Sequence, residues 1–148
     1  MPPAVIGDLS DVDTLIFTTL SNDATLRGLC PDGVFWDIAN GAIAFVLLTR
    51  PPDAEYAGAL DGEEGWLRVQ YAVKAVIKSS SVVASNNAAF RIHELLHYGL
   101  QDTTAGNYTI MHIERTIPIR YQEVDPSNTA MKWQHHGAQY SVMMCPSN

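Results

Sequence analysis

The clearest signal in the chain is a change of hydrophobic period between Trp66 and Leu100. From Trp66 to Lys78, the residues Val69, Tyr71, Val73, Ala75 and Ile77 alternate with Arg68, Gln70, Ala72, Lys74, Val76 and Lys78. A period of two predicts a strand with one face on a core and the other toward water or a partner. Ser79, Ser80 and Ser81 break the alternation and offer capping hydroxyls to a helix. Beyond Val82 the apolar residues recur at spacings of three and four: Ala89, Ile92, Leu96 and Leu100, with Leu95 beside them and Ser85 a small polar gap. The pattern predicts an amphipathic helix over Val82–Tyr98 that stops near Gly99.

The flanking stretches read around this unit. Val12, Leu15, Ile16 and Leu20 predict a first helix over Val12–Leu20, with Ser10 as its cap and Asp11 and Asp13 in its first turn. A short helical turn, Ala24–Leu29, leads to the turn-forming Cys30-Pro31-Asp32-Gly33. Val34–Ile38 reads as a strand, and the near-continuous apolar run Ala42–Thr49 as a strand buried on both faces. Asn40-Gly41 between them suits a hairpin. Arg50–Gly65 holds Pro51, Pro52, Gly58, Gly62 and Gly65, which predicts a long connection without regular structure through its length. Tyr108–Val124 reads as a long strand that Pro118 makes an edge or a bulge. Thr129–His136 reads as an irregular loop, and Ala138–Met144 as a last strand. The order predicts one α+β domain over residues 1–148. Its architecture is a two-layer sandwich, with a mixed or antiparallel sheet of four to five strands and two helices packed on one face.

Composition narrows the function. No run of 18 apolar residues exists, so no spanning helix is expected. Met1-Pro2-Pro3-Ala4-Val5 has neither a basic start nor an apolar signal region, so the chain is expected to stay in the cytoplasm where it is made unless an assembly carries it out. The formal charge is −7, with three Lys and six Arg scattered along the chain, which argues against a phosphate-tracking groove. Cys30 and Cys145 read as reduced thiols. Between Pro51 and Trp66, Asp53, Glu55, Asp61, Glu63 and Glu64 occur with no base. That run is either a solvated surface loop or a negative tongue projecting into a shared space.

One motif invites a catalytic reading. His93-Glu94-Leu95-Leu96-His97 matches HExxH, in which two histidines one helical turn apart hold zinc and the glutamate acts as general base. A third ligand is not in place by spacing. No later stretch reads as a helix carrying a glutamate, and Leu100 and Thr103 stand where a metzincin has Gly and His. The pattern fixes three of five positions and arises by accident, so the plainer reading is an amphipathic helix with two partly exposed histidines. His93, Glu94 and His97 are therefore a fallback metal site only, and neither a catalytic residue nor a cofactor is expected. His135-His136 stand beside Trp133, and adjacent histidines point apart, which suits a contact surface better than a metal.

The order of elements resembles the tail-terminator or tail-completion proteins of long-tailed bacteriophages. The likeness rests on Leu26-Arg27-Gly28-Leu29 followed by Gly33-Val34-Phe35-Trp36-Asp37, on Ala44-Phe45-Val46-Leu47-Leu48, on the strand-then-helix unit Val69–Leu96, and on Tyr108–Glu123 with His136-Gly137-Ala138-Gln139-Tyr140-Ser141-Val142. It implies helices on one face of a mixed sheet and a hexameric ring of identical subunits. Such a ring ends growth of the tail tube and joins the tail to the head, contacting the tube protein and a head-completion or neck protein while DNA passes through without specific binding. The implied location is the virion, at the head-proximal end of the tail, after synthesis in the host bacterial cytoplasm, with no membrane association. The family has no catalytic motif. Within this reading Asp53, Glu55, Asp61, Glu63 and Glu64 face the lumen, and Trp36, Met131, Trp133, His135 and His136 make subunit or tube contacts. The alternatives are another neck, head-completion or tube component, or a small zinc peptidase.

Overall fold

The computed structural model describes residues 9–51, 55–58 and 66–147, with the backbone alone for 55–58. Two helices open it, α1 (Ser10–Ser21) and α2 (Ala24–Leu29). The strands β1 (Val34–Trp36), β2 (Ala44–Thr49), β3 (Glu55–Gly58) and β4 (Trp66–Ser79) follow. Helix α3 (Val83–His93) continues into a π-helical turn, Glu94–Tyr98. The chain ends with β5 (Thr104–Ala105), β6 (Tyr108–Val124) and β7 (Lys132–Pro146).

All seven strands form one mixed sheet in the order β1-β2-β4-β7-β6-β5, with β3 also paired to β4. The α+β layering is as the sequence predicts, but the strand count exceeds the expected four to five. The additions are β3 and β5, of four and two residues, and they come from Gly-rich, turn-like stretches whose composition hides them. Arg50–Gly65 is therefore not without regular structure. Asp53, Asp61, Glu63 and Glu64 lie outside the described residues, as does the side chain of Glu55, which opens β3.

The alternation in β4 places Leu67, Val69, Tyr71, Val73, Ala75 and Ile77 on one buried face. Opposite them in register stand Met144, Val142, Tyr140, Ala138, His136 and Gln134 of β7. Val12, Ile16 and Leu20 of α1 and Ala88, Ile92 and Leu96 of α3 close this core from the helical side. The buried stripe of α3 runs Ser85, Ala88, Ile92, Leu96, one position away from the expected Ala89, which is half-buried. A smaller cluster occupies the opposite face, where Ala42, Phe45 and Val76 meet Phe35, Leu47 and Trp133. Gly137 lies opposite Lys74, and a Cβ there would strike the Val73 carbonyl oxygen and Lys74, so this crossing of β4 and β7 requires glycine.

Three local features depart from the sequence pattern for identifiable reasons. First, β1 and β2 are parallel and not a hairpin. Positive φ angles at Asp37 (60°) and Gly41 (71°) turn the short connection back on itself. Second, β6 carries register shifts between Ile110 and His112 and between Arg115 and Ile117. A bulge moves every later side chain to the other face. Ile113 is therefore buried while Ile117, of the same parity, is 55% exposed. Third, Ser10 is the first helical residue of α1, with Leu9 in the cap position, whereas Ser81 Oγ accepts the Val83 N–H at 3.2 Å near the start of α3.

Candidate functional site

Three places gather the chemistry-bearing side chains: the histidines at the end of α3, the far end of β7, and the outer edge of β6. At the first, α3 and the π-turn set His93 and His97 in parallel, with ring centroids 5.0 Å apart. Burial lowers the pKa of His93, with Arg115 and His97 adding to the effect. Its Nδ1 lies 3.4 Å from the Tyr140 hydroxyl. The Tyr140 phenol is itself pushed up to about 12 by burial. His97 Nδ1 lies 2.7 Å from the Ile113 carbonyl, to which it donates. His112 brings its ring to 6.2 Å from His97, edge-on, but its Nε2 lies 3.5 Å from Glu114. Glu94 faces Arg91 at 3.9 Å. Among the described residues no group of three His, Cys, Asp or Glu side chains converges as metal ligands would.

At the second place the expectation from sequence needs correction. Thr129–His136 is not an exposed contact loop, because β7 begins at Lys132. His135 and His136 are 8% and 4% exposed, on opposite faces of a strand flanked by β4 and β6. His136 points into the helical layer, where Ser85 Oγ lies 2.8 Å from its Nδ1. Since that hydroxyl donates to the Val82 carbonyl at 3.0 Å, the histidine Nδ1–H is the donor to Ser85. His136 Nε2 is buried without a hydrogen-bond partner among the described residues. His135 stacks on Tyr121, centroids 4.2 Å apart, and its Nε2 lies 3.4 Å from Glu123. Burial lowers the pKa of both histidines.

Trp133 is half-buried beneath Lys78, whose ammonium sits 5.6 Å from the ring centroid and 2.5 Å from Asp125. Lys78 holds the Asp125 carboxyl far below the usual range, aided by Ser127. Trp36 is half-buried and packs on the main core beside Tyr71, 6.5 Å between centroids. Met131, in the turn before β7, is half-buried as well. Trp36, Met131 and Trp133 thus keep part of their surface free, while His135 and His136 are packed inside. Period analysis missed this because β7 is covered on both faces at Gln134–His136, so polar side chains lie inside.

The third place carried little signal in the sequence. From Glu114 to Val124 every β6 side chain but that of Ile119 is exposed. Among the described residues β6 pairs on its outer side only with β5, through Tyr108 and Thr109. Met111, Ile117, Tyr121 and Val124 are 47%, 55%, 41% and 57% exposed. Elsewhere, Thr25, Gly28, Leu29, Asn87 and Phe90 line a shallow groove between α2 and α3.

No family model matches the chain, and no curated protein matches it. A solved structure shares the fold: a chain from the virion of a native gene transfer agent particle, with a TM-score of 0.61 at 14% identity. The match covers 87% of this chain and 91% of that one. Most of the domain, and not one motif within it, thus has the same fold in both.

Proposed function

We propose that the chain is a structural virion component of a phage-like particle, and within it the tail terminator: a homo-oligomeric ring, most simply a hexamer, at the head-proximal end of the tail. The observation that carries this reading is the fold shared almost end to end with a chain of a gene transfer agent virion. The element order that resembles tail terminators supports the finer role. Such a role asks for contact surfaces and not for a reactive group. The partners are other copies of the chain, the tail tube protein and a head-completion or neck protein. The acidic residues Asp53, Glu55, Asp61, Glu63 and Glu64 belong to the wall of the DNA passage. A second reading, another neck or tube component, rests on the same shared fold.

Deletion of the chain tests the role. Electron micrographs are expected to show tails of uncontrolled length, or finished tails that fail to join heads. Normal infectious particles without it would overturn the role. Tails of correct length with defects confined to the head would favour the second reading.

A further inference from the structure

The two ends of the sheet are complementary. At one end lies β6, whose outer side meets no strand past β5 among the described residues. At the other lies β1, hydrogen-bonded to β2 and to no other described strand. Nine large apolar side chains are exposed among the described residues. Four of them (Met111, Ile117, Tyr121, Val124) lie on β6, and two (Ile38, Ile43) flank the β1–β2 connection. Charge divides the same way. Arg115 and Arg120 are exposed on β6 and form no ion pair among the described residues, in a chain with only nine bases against sixteen acids. The β1 end presents exposed Asp32 and Asp37, and Asp37 has no ion-pair partner among the described residues.

We infer that the β6 edge of one copy docks on the β1 edge of the next, as the subunit contact of the assembly; this rests on the ring reading above. Long apolar edges invite uncontrolled pairing, and proteins restrain them with bulges, prolines and charges. Here the register shifts interrupt the strand and leave Ile117–Val124 as its longest stretch in unbroken register, within which Pro118 has no N–H to offer. A short strand is what such a stretch accepts, and β1 has three residues. Because the two patches differ, the contact is head-to-tail and repeats from copy to copy, as a closed ring requires. The arginines meet the aspartates at the rim while Ile117 and Val124 meet Ile38 and Ile43. The charges thereby select orientation and the apolar residues supply most of the burial.

The test is self-association of the full chain, followed by sedimentation over a concentration series and by disulfide trapping. In a Cys30→Ser, Cys145→Ser background, Ile38→Cys with Val124→Cys is expected to give a ladder of cross-linked oligomers. R115E with R120E should weaken association and trapping about tenfold. Adding D37K, which offers the new acids a cation in place of the facing aspartate, should restore most of it. Both arginines are exposed, so an unchanged melting curve shows that the fold is intact. Three outcomes overturn the contact: no ladder with a monomer at every concentration, association indifferent to R115E/R120E, or β6 engaged by another particle protein in place of a copy. The deletion test above is independent of this one. Uncontrolled tails on deletion, with no ladder, leave the role standing and remove the contact. A ladder, with normal particles on deletion, removes the role alone.

Discussion

Buried histidines set how the protein answers to acid. His136 is held by Ser85 on one nitrogen and has no hydrogen-bond partner on the other among the described residues, and the Arg120 charge adds to the cost of protonating it. His135 lies among Lys74, Glu123 and His136, and His93 among Arg115, His97 and Glu94. All three have their pKa lowered below the ordinary 6.5, chiefly by burial. The unfolded chain therefore binds protons that the folded one refuses. This contribution to stability is complete above about pH 6.5 and is lost as the pH falls toward the lower folded values. The melting temperature is expected to drop between pH 7 and pH 5, above the range in which Asp23 and Asp125 take up protons. H136N, which preserves a partner for Ser85, should flatten part of the drop; an equally steep profile in the variant would assign the effect elsewhere. The HExxH histidines differ. His97 spends Nδ1 on Ile113 and Glu94 faces Arg91, while the nearest third histidine, His112, pairs with Glu114. Two histidines alone make a weak site where zinc normally takes three or four protein ligands. Elemental analysis after dialysis is expected to find well below one zinc per chain, and stoichiometric zinc that disappears in H93A would disprove this.

At the scale of elements, one carboxylate ties two helices together. Asp23 caps α2 by accepting the Leu26 N–H at 2.9 Å and receives a fork from Arg91 of α3, at 2.9 and 2.6 Å. Arg91 lowers the Asp23 pKa, and the side chain is only 11% exposed. D23A removes the cap and the fork together and is expected to cost roughly 2 kcal/mol in denaturant unfolding. D23N keeps the cap and should lose about half as much; equal losses would show that the cap does not matter. The strength of the sequence signal varied in the same local terms. The strand-to-helix unit of β4 and α3 was legible because each element has one covered face. The Val12, Ile16, Leu20 stripe of α1 was legible for the same reason. The two faces of β6 were not, because bulges break the period at Met111 and Thr116. The start of β7 reads as a loop in the sequence, since both its faces are covered, which removes alternation, and His135 and His136 look like surface residues. The edge proposed as a subunit contact left only a faint trace: Pro118 marks an edge, but exposure on β6 follows from strand order, which local patterning does not contain.

For the whole molecule, the charge excess is the property that bears most on the ring proposed above. The chain carries −7, and five acids without a base fall between Pro51 and Trp66. A ring that DNA must traverse at speed gains nothing from binding it. A negative wall repels phosphates and keeps the passage free, whereas lysines and arginines would hold the duplex through counterion release. The place proposed for Asp53, Asp61, Glu63 and Glu64 at the passage therefore predicts, for their reversal, a defect in movement and not in assembly. Particles carrying D53K, D61K, E63K and E64K together are expected to form with tails of normal length and with heads attached. Their DNA release, followed by a dye that reports ejected DNA, should be slowed at low salt and recover as ionic strength rises, because added ions screen the new attraction. Release at the normal rate at every salt concentration would remove these residues from the passage wall. Irregular tails in the same variant would place them at a protein contact instead.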